Sequence, residues 1–133
     1  MKIFIVDNDH ISNFLVESMM LLEDAALDIS IFMSGTRALE ALRLGGNSSV
    51  PDLILLDLDM PVMDGWDFLD AMATHTPKLY KKCSIYILTS SLDSTYINRV
   101  VDYPMVSGII QKPAKAEEMR QLVQKVKRLR AAN

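Results

Sequence analysis

Four aliphatic residues, Leu53-Ile54-Leu55-Leu56, lead into Asp57, with Pro51 and Asp52 just ahead of them and Pro61 close behind. An unbroken aliphatic run of this length between prolines reads as a strand buried on both faces, as in a parallel sheet covered by helices. In open sheets of that kind, ligands bind beyond the carboxyl ends of the strands. Asp57 therefore stands where chemistry is expected. Taken alone, an aspartate that merely ends a strand would look the same.

The rest of the chain repeats the theme. Residues 3–6 form a short strand, and Ile11, Phe14, Leu15, Met19 and Leu22 then recur at helical spacing. Residues 27–32 alternate as a strand at the sheet edge. Residues 35–44 place Ala38, Leu39 and Leu42 on one helical face and stop at Gly45-Gly46, with a loop at Asn47-Ser48-Ser49. After the strand at 53–56, Asp64-Gly65 opens a helix with Phe68, Leu69 and Met72 facing inward. A strand at 84–88, a weaker helix at 94–101 and a strand at 107–110 follow. Beyond Lys112-Pro113, the positions Met119, Leu122, Val123, Val126 and Leu129 mark a long amphipathic helix.

Five βα units in succession predict an α/β fold: a doubly wound, five-stranded parallel sheet with helices on both faces. Right-handed crossovers leave few strand orders, of which the flavodoxin-like 2-1-3-4-5 is a common one. No linker, repeat or low-complexity stretch interrupts the pattern. One domain over residues 1–133 is expected, with no output domain.

Composition excludes several classes. Half of the 133 residues are hydrophobic and 23% are charged, which suits one packed core and not a disordered chain. No apolar stretch is long enough to span a bilayer, and the apolar run after Lys2 is too short for a signal-peptide core. No membrane partner is expected. Cys83 is the single cysteine, so no internal disulfide can form, a reducing cytoplasmic compartment fits, and the thiol reads as a packing residue. Residues 112–133 are basic although the whole chain carries a net charge of -3. Lys125, Lys127, Arg128 and Arg130 read as a solvated face that complements the negative end of a helix dipole, so nucleic acid is not expected as a partner.

The polar residues at the strand ends gather into a set. Strand 1 delivers Asp7, Asn8 and Asp9; strand 3 delivers Asp57 and then Asp59; strand 4 delivers Thr89, Ser90 and Ser91; strand 5 delivers Gln111 and Lys112. Strand 2 delivers Ser34 alone. Two carboxylates about 4 Å apart repel by roughly 4 kcal/mol at an effective dielectric near 20, so such a cluster needs a cation or raised pKa values. Oxygen ligands suit a hard ion, and Mg²⁺ commonly takes one or two carboxylates, waters and a phosphate. Lys112 adds a point charge for a phosphate oxygen, and Thr89 adds a hydroxyl donor. Together these describe phosphoryl transfer to an aspartate. The first βα turn has no glycine, which argues against a nucleotide-phosphate cradle. Each residue also has a plainer role: Asp9 as a helix N-cap, Thr89 and Ser90 as the start of a loop, Lys112 as a surface lysine.

Over essentially its whole length the chain resembles the receiver domain of two-component response regulators, in the manner of single-domain chemotaxis-type receivers. The matching stretches are Ile5-Val6-Asp7-Asn8-Asp9, the run from Leu55 through Asp57-Leu58-Asp59-Met60-Pro61 to Asp64-Gly65, Leu88-Thr89-Ser90, and Gln111-Lys112-Pro113. The resemblance implies a phosphoprotein whose phosphoacceptor is Asp57, supplied by a sensor histidine kinase or a phosphotransfer protein. It implies Mg²⁺ or Mn²⁺ held by Asp7, Asn8, Asp57 and the main-chain carbonyl of Asp59. It implies Thr89 as the switch hydroxyl, Lys112 as the phosphate-binding lysine and a cis bond before Pro113. Asp59 and Ser91 are the positions expected to tune phosphate lifetime. The implied outputs are docking on a downstream protein target or passage of phosphate along a relay, by a monomer or weak dimer that catalyses only its own phosphorylation and dephosphorylation. The signalling face would include Tyr103, Met105 and part of the basic helix.

Two positions depart from the family pattern. The second acid after strand 1 is Asn8, an uncharged ligand that predicts weaker Mg²⁺ binding. The aromatic usual three residues before the lysine is Ile109, which puts coupling between Thr89 and an aromatic rotamer in doubt. Two other readings compete. Asp57-Leu58-Asp59 after an aliphatic strand mimics a haloacid-dehalogenase-type phosphatase, with Asp59 as general acid. Asn8 also keeps open a docking module of receiver fold that is never phosphorylated.

Overall fold

The computed structural model describes residues 1–45, 50–75, 82–91 and 93–132. Strands and helices alternate as β1 (Lys2–Val6), α1 (His10–Glu23), β2 (Asp28–Phe32), α2 (Gly35–Gly45), β3 (Leu53–Asp57), α3 (Gly65–His75), β4 (Ser84–Thr89), α4 (Ser94–Val100), β5 (Val106–Gln111) and α5 (Ala116–Ala131). The strands form one sheet in the order β2-β1-β3-β4-β5, and every ladder in it is parallel. The expected architecture and strand order are what the chain adopts. The loop expected at Asn47-Ser48-Ser49 lies outside the described residues.

All five residues of β3 are buried, because it is the middle strand and both of its faces are covered. Side chains alternate along a strand, so its aliphatic run feeds two cores. Ile54 and Leu56 join Phe4, Val6, Ile85 and Ile87 beneath Ala38 and Leu42 of α2 and Phe68, Leu69 and Met72 of α3. Leu53 and Leu55 join Ile3, Ile5 and Leu88 against Val16 and Met20 of α1 and Met119, Leu122, Val123 and Val126 of α5. At about 25 cal/mol per Å² of apolar surface buried, these two cores are the main force holding the strand ends in register.

Local chemistry sets the helix starts. Asp9 caps α1, its Oδ1 accepting from the N–H groups of Ile11 and Ser12 at 2.9 and 3.2 Å. At α3, Asp64 Oδ1 accepts from Asp67 N–H at 2.8 Å, and Asp67 Oδ2 accepts from Asp64 N–H at 3.2 Å. Cys83 is a buried packing residue, and desolvation pushes its thiol up to about 12.

The apolar spacing located α1 but not its buried side. Ile11, Phe14, Leu15 and Leu22 are exposed, and the residues packed inward are Asn13, Val16 and Met20. Apolar residues cover most of this helix's circumference, so their period cannot say which stripe docks. The face that meets the sheet and α5 decides it. The basic face of α5 is likewise not purely solvated: Lys127 Nζ meets Asp24 at 2.5 Å and Arg130 lies 3.6 Å from Asp52. Such exposed pairs are screened by solvent and contribute little to stability.

Candidate functional site

The carboxyl ends of β1, β3, β4 and β5 converge, and the residues just beyond them make a small polar crevice. Asp7 follows β1 with its N–H donated to Phe32 O at 3.0 Å, and its Oδ1 accepts from Asp9 N–H at 2.9 Å. Asp57 ends β3. The two carboxylates are 1% and 5% exposed, so little water reaches either. Lys112 emerges from β5 with its N–H donated to Thr89 O at 2.7 Å, followed by the cis Lys112–Pro113 bond. Its Nζ stands 2.7 Å from Asp7 Oδ2 and 3.7 Å from Asp57 Oδ1. Asp7 Oδ2 has no other partner among the described residues.

The electrostatics follow from this crowding. Desolvation, reinforced by the neighbouring Asp7 charge, pushes the Asp57 carboxyl up to about 7, against the pull of Lys112 and of the Asp59 N–H. Burial alone would lower the Lys112 ammonium. The hydrogen bond to Asp7 and the charges of Asp57 and Asp7 outweigh that and hold it above its ordinary value. The single lysine does not fully neutralise the pair.

The other expected residues fall at different depths. Thr89 is buried at the end of β4, one residue past the Leu88 that pairs with Asp57. Its hydroxyl accepts from Ser91 N–H at 3.2 Å and donates to Ser91 O at 3.3 Å. Ser91 thus holds the Thr89 hydroxyl. Asn8 and Asp59 lie exposed on the rim. The Asp59 carboxylate accepts from the Tyr96 hydroxyl at 3.3 Å, a contact to α4 and away from the Asp7–Asp57 pair. The phosphatase reading needs that carboxylate as general acid and finds it engaged elsewhere.

Among the described residues no group of three or more His, Cys, Asp and Glu side chains is arranged to hold a metal. What the site offers is a pair of buried carboxylates with one oxygen satisfied only by an ammonium. That donor set fits a hard cation that takes one or two carboxylates and keeps its waters.

A family model described as the response regulator receiver domain matches residues 3–124. The chain belongs to the response regulator receiver family. The receiver is 28% identical over 130 residues to the two-component response regulator ARR12 of Arabidopsis thaliana, covering 98% of this chain and 20% of that protein. It spans less than two thirds of the length of the curated relatives it matches. Among solved structures, a two component response regulator from Cytophaga hutchinsonii superposes with a TM-score of 0.84 at 26% identity, over 96% of each chain. The phosphorylated cyanobacterial phytochrome response regulator RcpA superposes with a TM-score of 0.76 at 28% identity, over 95% of this chain and 90% of that one. In the receiver no helix among the described residues is long and apolar enough to cross a membrane.

Two features of the receiver's site region escaped sequence reasoning. Asn13, on the core face of α1, donates from Nδ2 to the Asp7 carbonyl at 2.8 Å. The only hint of it in the sequence is an amide three and seven residues ahead of Val16 and Met20, at the spacing of one helical face. Trp66 is buried under α4 as a platform. The Tyr103 and Tyr96 rings lie 5.2 and 6.3 Å from it, and the Arg99 guanidinium sits 4.6 Å over its ring. Tyr103, expected on the signalling face, is thereby half-buried, with its hydroxyl donated to Asp70 at 2.9 Å. Ile109 packs against the α2–α3 core.

Proposed function

We propose that this receiver accepts a phosphoryl group on Asp57 from a phosphohistidine of a sensor kinase or phosphotransfer protein, and that the modified domain docks on a target or passes the group on. The observation that carries the proposal is the placement of Lys112 Nζ beside both buried carboxylates, with one ammonium for two acids. A site built this way holds excess negative charge until a cation joins it. Asp7, Asp57, the Asp59 carbonyl and Asn8 from the rim would hold Mg²⁺, which when bound supplies the charge neutralisation that an incoming phosphoryl group needs. Asn8 brings no charge to that set, so metal affinity below that of a three-carboxylate site follows.

In the transfer an Asp57 oxygen bonds to phosphorus as the P–N bond of the donor imidazole breaks, and the released imidazole takes up a proton from solvent. Lys112 binds a phosphoryl oxygen, and the Thr89 hydroxyl leaves Ser91 to donate to another. The donor must present its histidine at the mouth of this crevice. The exposed stripe Ile11, Phe14, Leu15 and Leu22 begins directly after the β1–α1 turn that carries Asp7 and offers the donor protein an apolar face.

Intact-mass spectrometry after incubation with acetyl phosphate and Mg²⁺ tests the reading. One added phosphoryl group is expected in the native chain, and none in Asp57→Ala or in chelator. Absence of the group together with absence of Mg²⁺ binding would replace this reading with an unphosphorylated docking module.

A further inference from the structure

We infer that Asn13 is a positioning residue for Asp7, an inference that rests on the phosphoacceptor reading above. Asn13 is only 3% exposed and shares its side of α1 with Val16 and Met20, a setting in which an apolar side chain is the ordinary choice. Its amide is instead spent on one purpose. Nδ2 donates to the Asp7 carbonyl at 2.8 Å and, on its other hydrogen, to Met33 Sδ at 3.4 Å. Both neighbours are acceptors, so the amide can be oriented only this way round. Oδ1 is left buried with no partner among the described residues. Buried polar atoms are nearly always paired, so this position does not optimise stability.

What it does is clamp the peptide between Asp7 and Asn8. Asp7 lies one residue past β1, in a turn of three residues before α1. The Asp7 N–H is held by Phe32 and its carboxylate by Asp9 N–H and Lys112. The carbonyl is the remaining freedom of that residue, and Asn13 removes it by tying the turn to the second turn of the helix. Asp7 and Asn8, both in the set that would hold the cation, sit on either side of the clamped peptide. Partners of this kind, which orient ligands without touching the metal, commonly govern affinity by 10–100-fold when removed.

Asn13→Leu separates a positioning role from a packing role because only the first predicts a loss of Mg²⁺ affinity while stability is kept. The near-isosteric leucine removes the unpaired Oδ1 and adds apolar contact but leaves the Asp7 carbonyl without its donor, so the melting temperature in chelator should change little. Mg²⁺ affinity measured calorimetrically with the metal alone should fall about tenfold, and the rate of phosphoryl uptake from acetyl phosphate at low Mg²⁺ should fall with it, recovering at saturating Mg²⁺. Asn13→Ala, which also lacks the donor, should show the same loss of Mg²⁺ affinity despite lower stability. Wild-type affinity in both variants, with the native chain phosphorylated normally, would overturn the inference and leave the phosphoacceptor reading standing. A native chain that neither binds Mg²⁺ nor takes a phosphoryl group would overturn both.

Discussion

A Cβ placed on Gly65 would stand 2.6 Å from the main-chain oxygen of Asp57. The same atom would meet Leu58 Cα at 2.8 Å, and Gly65 N–H already donates to Leu58 O at 3.0 Å. The start of α3 is thus pressed against the backbone that carries Asp57, with no room for any side chain. Gly65→Ala must move one of the two, at a cost of about 1–3 kcal/mol for overpacking. Thermal melts should show that loss, and acetyl phosphate labelling should slow because the displaced backbone is that of Asp57 itself.

The crowding of carboxylates gives stability a definite pH dependence in the metal-free protein. Asp57 is held at about 7 in the folded chain against an ordinary 3.8, so between those values the native state binds more protons than the unfolded state. Stability from this group therefore falls as pH rises through that window. Asp57→Asn removes the effect. In chelator its melting temperature should match wild type near pH 4 and exceed it increasingly up to pH 8. A constant difference across that range would contradict the assignment.

Backbone strain sits in the β3–α3 loop at Val62, whose φ is 69° while its side chain is fully exposed. A β-branched residue there costs about 1–2 kcal/mol that no packing repays. Asparagine tolerates this region far better. Val62→Asn should raise the melting temperature by about 4 °C for each kcal/mol recovered, measured by calorimetry.

On α1, Phe14 is 66% exposed within the apolar stripe beside the site. Phe14→Gln should change stability by no more than about 0.5 kcal/mol, as for other surface substitutions. Labelling by acetyl phosphate should be unchanged. Transfer from a phosphohistidine protein that labels the wild type should slow by tenfold or more, as the ratio of the two rates would report.

Much of this molecule was legible from spacing. The aliphatic run at 53–56, the amphipathic stretches between strands and the polar residues after each strand led to the sheet order and to Asp7, Asp57, Thr89 and Lys112 as one set. Asp9 was readable as a cap because capping is a local interaction with the next three residues. The inward face of α1 was not readable. Ile11, Phe14, Leu15 and Leu22 obey the helical period as well as Val16 and Met20 do, and only the surface they meet distinguishes the two stripes.

The elements, their order and the chemistry available at the strand ends follow from local pattern, because periodicity, capping and charge act between residues close in the chain. Packing of distant segments sets which carboxylate Lys112 approaches more closely, that Asn13 pairs with Asp7 and Met33, and that Tyr96 engages Asp59. Those pairings join residues from 6 to 105 positions apart (Asn13 with Asp7 at the near end, Lys112 with Asp7 at the far end). Their distances are set by how the helices pack on the sheet, which no local pattern encodes.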